Sequence, residues 1–366
     1  MSEPKQRARV WFVDVVRLIA SFQMINGHTL DVLMVDELRQ GTFFHHYTWA
    51  RGLVSVAFLT VAGLAFHLAT LARFDAHKGS KDEVRKRLRR AGILLLLGYF
   101  LRFPGAAFGD DPTAAAEAWN LFLQCGVLQC IGVALFVLEV STILLPKPRH
   151  VVYVAATCAL LFIGGAPLLH FAPLDGAWRP FTSYLTHAGG SLFPLFPWAG
   201  YMFAGCVLGW ATLPQGGRTP TRVAVPRLVG ALTVTVLIWQ GLSALGPLVP
   251  EGVHQATKPA FALEKLSAVV AIVLVLAVVC APIKTLPKLL RILSKETLFV
   301  YVFHLWVLFN GVFAIHQTWG RTQPLAVSLC ASAAMMALTV GATLVWHHRK
   351  AIVEDLRRRA VPTPSR

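Results

Sequence analysis

Runs of roughly twenty apolar residues recur along this chain, each long enough to cross the hydrocarbon core of a bilayer as a helix. Lipid offers no hydrogen bonds, so a spanning segment must satisfy its own backbone, which favours helices of that length. Ten spans can be drawn, at about 11–35, 50–72, 91–108, 121–145, 151–170, 191–212, 227–246, 266–282, 296–314 and 323–346. Only the short basic turn Pro146-Lys147-Pro148-Arg149-His150 separates the fourth from the fifth. Charged residues make up 14% of the chain, against about 25% in soluble domains. The expected fold class is all-α: a polytopic integral membrane helix bundle of about ten transmembrane helices. It reads as a single domain over 1–350 followed by a basic cytoplasmic tail, 351–366.

A formal charge of +16 invites a nucleic-acid reading, and its distribution refutes one. Of 34 Lys and Arg, only Arg39, Arg51, Arg102, Arg179, Lys258, Lys265 and Arg321 fall in one set of alternate loops. Arg17 lies inside a span, and the rest crowd the other set. This is the positive-inside bias, which puts both termini in the cytoplasm. The lipid bilayer is the partner it implies, and no nucleic acid. Cys125, Cys130, Cys158, Cys206, Cys280 and Cys330 lie in or beside apolar spans without a C-x-x-C. They read as packing residues, and no metal site is expected. The first apolar run is too long and too polar for a cleaved signal peptide and reads as a retained helix.

That first span carries Asp14, Arg17, Gln23, Asn26, His28 and Asp31. A charge at the bilayer centre costs about 2.5–3.5 kcal/mol on insertion scales, so such groups face a protein interior or a watery cavity. Arg17 and His28 are eleven residues apart, about 16.5 Å of helical rise and about 20° past three full turns. Both therefore point the same way, one near each leaflet. Histidine titrates near neutrality and can take a proton from a hydroxyl or an ammonium group. Asp31 is placed to orient the His28 ring, and Asp14 to hold the Arg17 guanidinium.

Other polar groups accompany this wall. His45 and His46 precede Trp49 in an outer loop, 36–49. Thr297, Tyr301 and His304 recur at i, i+4 and i+7 and give the ninth span a polar face. Gly189, Gly190, Pro194 and Pro197 could line an entrance for an acceptor. The inner loop 73–90 ends in Arg85-Lys86-Arg87-Leu88-Arg89-Arg90. That run serves either as a topological stop signal or as a set of guanidinium donors for a phosphorylated ligand. Glu139 reads as snorkelling to the inner interface, and His67 and His77 read as interfacial residues.

These residues resemble the transmembrane acyltransferases, a superfamily that includes acyltransferase-3 enzymes and heparan-α-glucosaminide N-acetyltransferase-like proteins. The acyltransferase-3 pattern R-x10-H matches Arg17 and His28, R-x-x-R matches Arg87 and Arg90, and Y-x-x-H matches Tyr301 and His304. From the N-acetyltransferase-like branch come D-x-x-R (Asp14, Arg17), H-x-x-W (His46, Trp49), the run Leu128 to Gly132, and the run Pro194 to Gly200. The resemblance implies transfer of an acyl group, usually acetyl, from cytoplasmic acyl-CoA (acetyl-CoA) to a sugar or glycan acceptor on the outer side. It assigns His28 or His46 as catalytic base; Asp31, by its spacing, stands beside His28. Arg17, Asp14, Arg87 and Arg90 go to acyl-CoA, while the polar residues within the first and ninth spans put Asn26, Tyr301 and His304 on the cavity wall. A multi-pass protein of a bacterial inner membrane is expected. The rival is a transporter or channel for a small polar metabolite, since buried polar groups mark transport paths equally well.

Overall fold

Polar groups interrupt several of the apolar runs, and the computed structural model shows what the backbone does at each interruption. It describes residues 10–103, 112–170, 179–187, 190–248, 251–253, 255–309, 313 and 315–360. Gly189 and residues 361–366 of the expected tail lie outside them. Fifteen α-helices cover the described residues: α1 (Trp11–Leu33), α2 (Thr42–Ala69), α3 (Phe74–Lys78), α4 (Lys81–Phe100), α5 (Pro112–Leu123), α6 (Val127–Leu144), α7 (Pro148–His170), α8 (Arg179–Leu185), α9 (Leu195–Thr212), α10 (Thr221–Ala244), α11 (Pro259–Val279), α12 (Lys288–Lys295), α13 (Thr297–Phe309), α14 (Ile315–Thr318) and α15 (Leu325–Ala360). Among the described residues no strand forms beyond one isolated bridge, Met34 to Gln323.

Each expected span meets a helix, but fewer helices are long and apolar enough to cross a membrane. Six qualify among the described residues, or seven when α12 and α13, bent by 74° at their junction, count as one broken span. The shortfall from ten has local causes. Polar residues dilute α1, six basic residues crowd the first half of α4, and α9 is interrupted at Phe196 (φ −97°, ψ 118°). The loop expected at 36–49 is also shorter than drawn, because α2 already begins at Thr42. The span drawn at 121–145 breaks at Gly126, whose extended backbone starts α6 while its N–H donates to Gln129 Oε1 (3.2 Å).

The chain divides into two compact units, Met1–Val16 with Ser55–Pro282, and Arg17–Val54 with Ile283–Arg366. In the first, α2 and α9 cross at glycines. A Cβ added to Gly63 would fall 1.8 Å from the Met202 carbonyl oxygen, and one on Gly205 would fall 1.9 Å from that of Thr60. Small residues that let backbones approach are a common solution where lipid supplies no hydrophobic drive between helices. Phe162 of α7 stacks on Phe203 of α9 (5.6 Å), and α10 turns Val234, Leu237 and Ile238 outward as an apolar face fit for lipid.

Three interior polar groups correct the sequence reading. Glu139 does not snorkel: it is fully buried, and its Oε1 lies 2.5 Å from His77 Nε2. His77 and His67 are likewise buried rather than interfacial, and His67 Nε2 donates to the Leu213 carbonyl (2.9 Å). The reason is the cost of leaving a buried polar group unpaired. Helix neighbours supply partners where the sequence alone suggested water.

The second unit is built around Ile25, Val300, Val307, Leu308 and Met335, so α1, α13 and α15 share one apolar seam. Two polar contacts pin α15 along its length. Asn26 Nδ2 donates to Ser332 Oγ (3.1 Å), and His347 Nδ1 lies 3.0 Å from Glu296 Oε1 at the α12–α13 break.

Candidate functional site

α1 carries its polar residues without interruption, so Arg17 and His28, eleven residues apart, lie on one side of a continuous helix. Arg17 is half-buried and Asp14 buried. His28 is half-buried; its ring stacks on His304 (centroids 5.6 Å, planes at 28°) and meets the edge of Phe309 (6.2 Å). His304 is wholly buried, and its Nδ1 lies 2.7 Å from the Val300 carbonyl oxygen. A carbonyl only accepts, so Nδ1 carries the proton and Nε2 presents a lone pair. That Nε2 has no partner among the described residues. Tyr301 stands edge-on to His304 (5.9 Å).

The first turns of α2 fold against the end of α1 through charge and hydrogen bonding. Tyr47 donates its hydroxyl proton to Asn26 Oδ1 (3.3 Å). The Asp31 carboxylate is ion-paired with Arg51 and lies 3.9 Å from an Arg39 guanidinium nitrogen. Arg39 also donates to the Met34 carbonyl (2.9 Å) and the Asp31 carbonyl (2.7 Å), which places a cation on the negative end of α1. Asp31 therefore works as the centre of an Arg–Asp–Arg lock, and its carboxylate serves the guanidiniums rather than the His28 ring. Asp31→Asn is expected to cost about 1–2 kcal/mol, between the values for exposed and buried ion pairs. Thermal unfolding in detergent should show a larger loss at low ionic strength, because the two unshielded guanidiniums then repel more strongly.

The structure thus joins Asn26, His28, Asp31, Tyr301 and His304 in one unit. His46 lies in the same unit, exposed on α2 with the His45 ring at 6.0 Å. Arg87 and Arg90 sit on α4 in the other unit, half-buried and exposed respectively. Arg39, Arg51, Tyr47 and Ser332 were not singled out from the sequence. Arg39 and Arg51 carried a legible signal, since both are exceptions to the positive-inside pattern, and a cation on the sparse side often has a carboxylate to answer.

In the first unit, the runs Leu128–Gly132 and 194–200 are drawn together. Phe193 N donates to the Cys125 carbonyl (3.2 Å), and Cys125 N donates to Ser191 Oγ (2.8 Å). Gln129 Nε2 and Trp198 Nε1 are buried donors without a partner among the described residues. Beside them Tyr99 and Tyr184 share a hydroxyl hydrogen bond of 2.7 Å. Burial, and next the bond to Tyr99, push the Tyr184 phenol above its usual range.

The family model described as heparan-alpha-glucosaminide N-acetyltransferase, catalytic, matches residues 9–245. Among curated proteins none matches the chain. The matched stretch takes in α1, the Arg–Asp–Arg lock and both drawn-together runs, and it exceeds half of the 366 residues. The chain belongs to the heparan-alpha-glucosaminide N-acetyltransferase catalytic family, a family of membrane acetyltransferases.

Proposed function

We propose that this protein takes an acetyl group from cytoplasmic acetyl-CoA and delivers it to an amine or hydroxyl of a sugar or glycan on the outer side of a bacterial inner membrane. About ten helices span the membrane in this reading, with both ends of the chain cytoplasmic, as the distribution of Lys and Arg supports. The family name favours an amino sugar as acceptor.

The observation that carries the reading is the His28–His304 stack, held in a wall whose other members are already hydrogen-bonded or ion-paired. His28 takes the proton from the acceptor nitrogen or oxygen. The freed lone pair attacks the thioester carbonyl, the C–S bond breaks, and the CoA sulfur leaves as a thiolate that recovers a proton. His304, its Nδ1 proton committed to Val300, supplies a fixed neutral surface against which His28 is oriented. His46 is the second candidate for the base. Asp31 holds the end of α1 to α2, and Asn26 and Tyr301 line the wall. Arg17 with Asp14 faces the donor arm, and Arg87 and Arg90 take the nucleotide phosphates. Transfer is direct, without an acyl-enzyme.

The test uses purified full-length protein, acetyl-CoA labelled in the acetyl group, and an oligosaccharide ending in glucosamine. One free CoA thiol should appear for each labelled acetamide formed. Passage of the sugar into liposomes without thiol release would replace the enzyme with a carrier.

A further inference from the structure

On α4, the residues Lys81, Val84, Arg85, Leu88 and Arg89 recur at i, i+3, i+4, i+7 and i+8, which is one face of a helix. That face lines a cavity of about 660 Å³, whose other walls are Lys78 of α3 and Thr142 and Ile143 of α6. The lining joins four cations to a floor of Val84, Leu88 and Ile143, and no carboxylate takes part. Lys78 is engaged, since its Nζ donates to the Leu145 carbonyl at the end of α6 (2.6 Å) and lies 5.6 Å from the centre of the Phe74 ring. It thereby offsets the negative end of α6, which would otherwise repel an anion.

Lys81, Arg85 and Arg89 have no ion pair or hydrogen-bonded side-chain partner among the described residues. Of the two carboxylates on the same helix, Glu83 bonds Lys86 at 3.0 Å, and neither it nor Asp82 is part of the cavity wall. Arg87 and Arg90 are also absent from the lining. Topology alone would be served by basic residues spread around α4. It does not require three uncompensated ones converging on a concavity with an apolar floor.

We propose that this cavity binds a phosphate-bearing anion, either the headgroup of an acidic phospholipid or a soluble pyrophosphate group. Arg85 and Arg89 supply forked N–H donors that match phosphate oxygens, and Lys81 adds a point charge. Val84, Leu88 and Ile143 accept the apolar part of the ligand. The site does not depend on the acetyl-transfer reading and can stand or fall apart from it.

The full-length protein in nanodiscs provides the test, in two arms. In the first, nanodiscs contain phosphatidylcholine with phosphatidylglycerol, and native mass spectrometry counts the lipid retained. In the second, nanodiscs contain phosphatidylcholine alone, and calorimetry follows added inorganic pyrophosphate. Lys81→Glu/Arg85→Glu/Arg89→Glu should weaken whichever ligand binds by at least about tenfold. Lys147→Glu/Arg149→Glu, two exposed cations outside the cavity, should leave it within about twofold. Arg85→Gln/Arg89→Gln, which reverses no charge, guards against misfolding and should show the same ordering. Retained phosphatidylglycerol identifies a lipid headgroup, and pyrophosphate binding identifies a soluble ligand. The proposal is overturned if the wild-type protein binds neither. It is also overturned if the Lys147/Arg149 variant loses as much as the cavity variant.

Discussion

Replacing His28 with alanine is expected to lower the turnover of acetyl transfer by about 10²–10⁴-fold, the usual contribution of a positioned general base. The KM for acetyl-CoA should change little, because the imidazole acts on the acceptor's proton rather than on the donor's binding. His304→Ala should have a smaller effect, of about tenfold or less, since it removes a stacking surface worth roughly 1 kcal/mol. His304→Phe should restore most of that loss, as it keeps the ring and discards only the nitrogens. His46→Ala is the decisive comparison. Should it abolish transfer while His28→Ala leaves turnover near wild type, the base is the exposed imidazole of α2 and the role given to the stacked pair is wrong.

The largest loss of stability is expected from adding single carbons at the α2–α9 crossing. A Cβ on Gly205 would meet the Thr60 carbonyl oxygen at 1.9 Å, and one on Gly63 the Met202 carbonyl oxygen at 1.8 Å. Both obstacles are backbone, so no side chain can swing away and a helix must shift. Overpacking typically costs about 1–3 kcal/mol and occasionally more, and these contacts belong at the upper end. Gly164→Ala and Gly230→Ala are the controls, since a Cβ at either meets nothing within 4 Å. There the better helix propensity of alanine should stabilise by up to about 1 kcal/mol. Thermal unfolding of the four variants in one detergent should separate the pairs. A neutral Gly205→Ala would mean that the helices cross further apart than described.

Much of the helical layout was legible because long apolar runs have few alternatives in a bilayer. What escaped depended on groups far apart in sequence. The break at Gly126 rests on its bond to Gln129 and on the tie from Cys125 N to Ser191, sixty-six residues away. Periodicity carries no trace of that tie. Glu139 and His77 were each read against lipid or water, because their partnership spans sixty-two residues. In the candidate site, spacing along α1 sufficed to put Arg17 and His28 on one side. It did not reveal that Asp31 would be claimed by Arg39 and Arg51. A carboxylate three residues from an imidazole is a plausible orienting group until two guanidiniums arrive from outside the helix, and charge attraction then decides the pairing.

The two contacts that fasten α15, at Ser332 and His347, make that helix a gauge of register. Lengthening it by one residue between them would turn one contact by about 100° and carry it about 1.5 Å along the axis relative to the other. The helix bearing His304 begins just after Glu296, a partner in the second contact, while Asn26 answers the first. The imidazole stack is therefore set by the length of a helix that contributes no ring to it, and insertions or deletions in that interval should be felt at His28 before any nearby residue is altered.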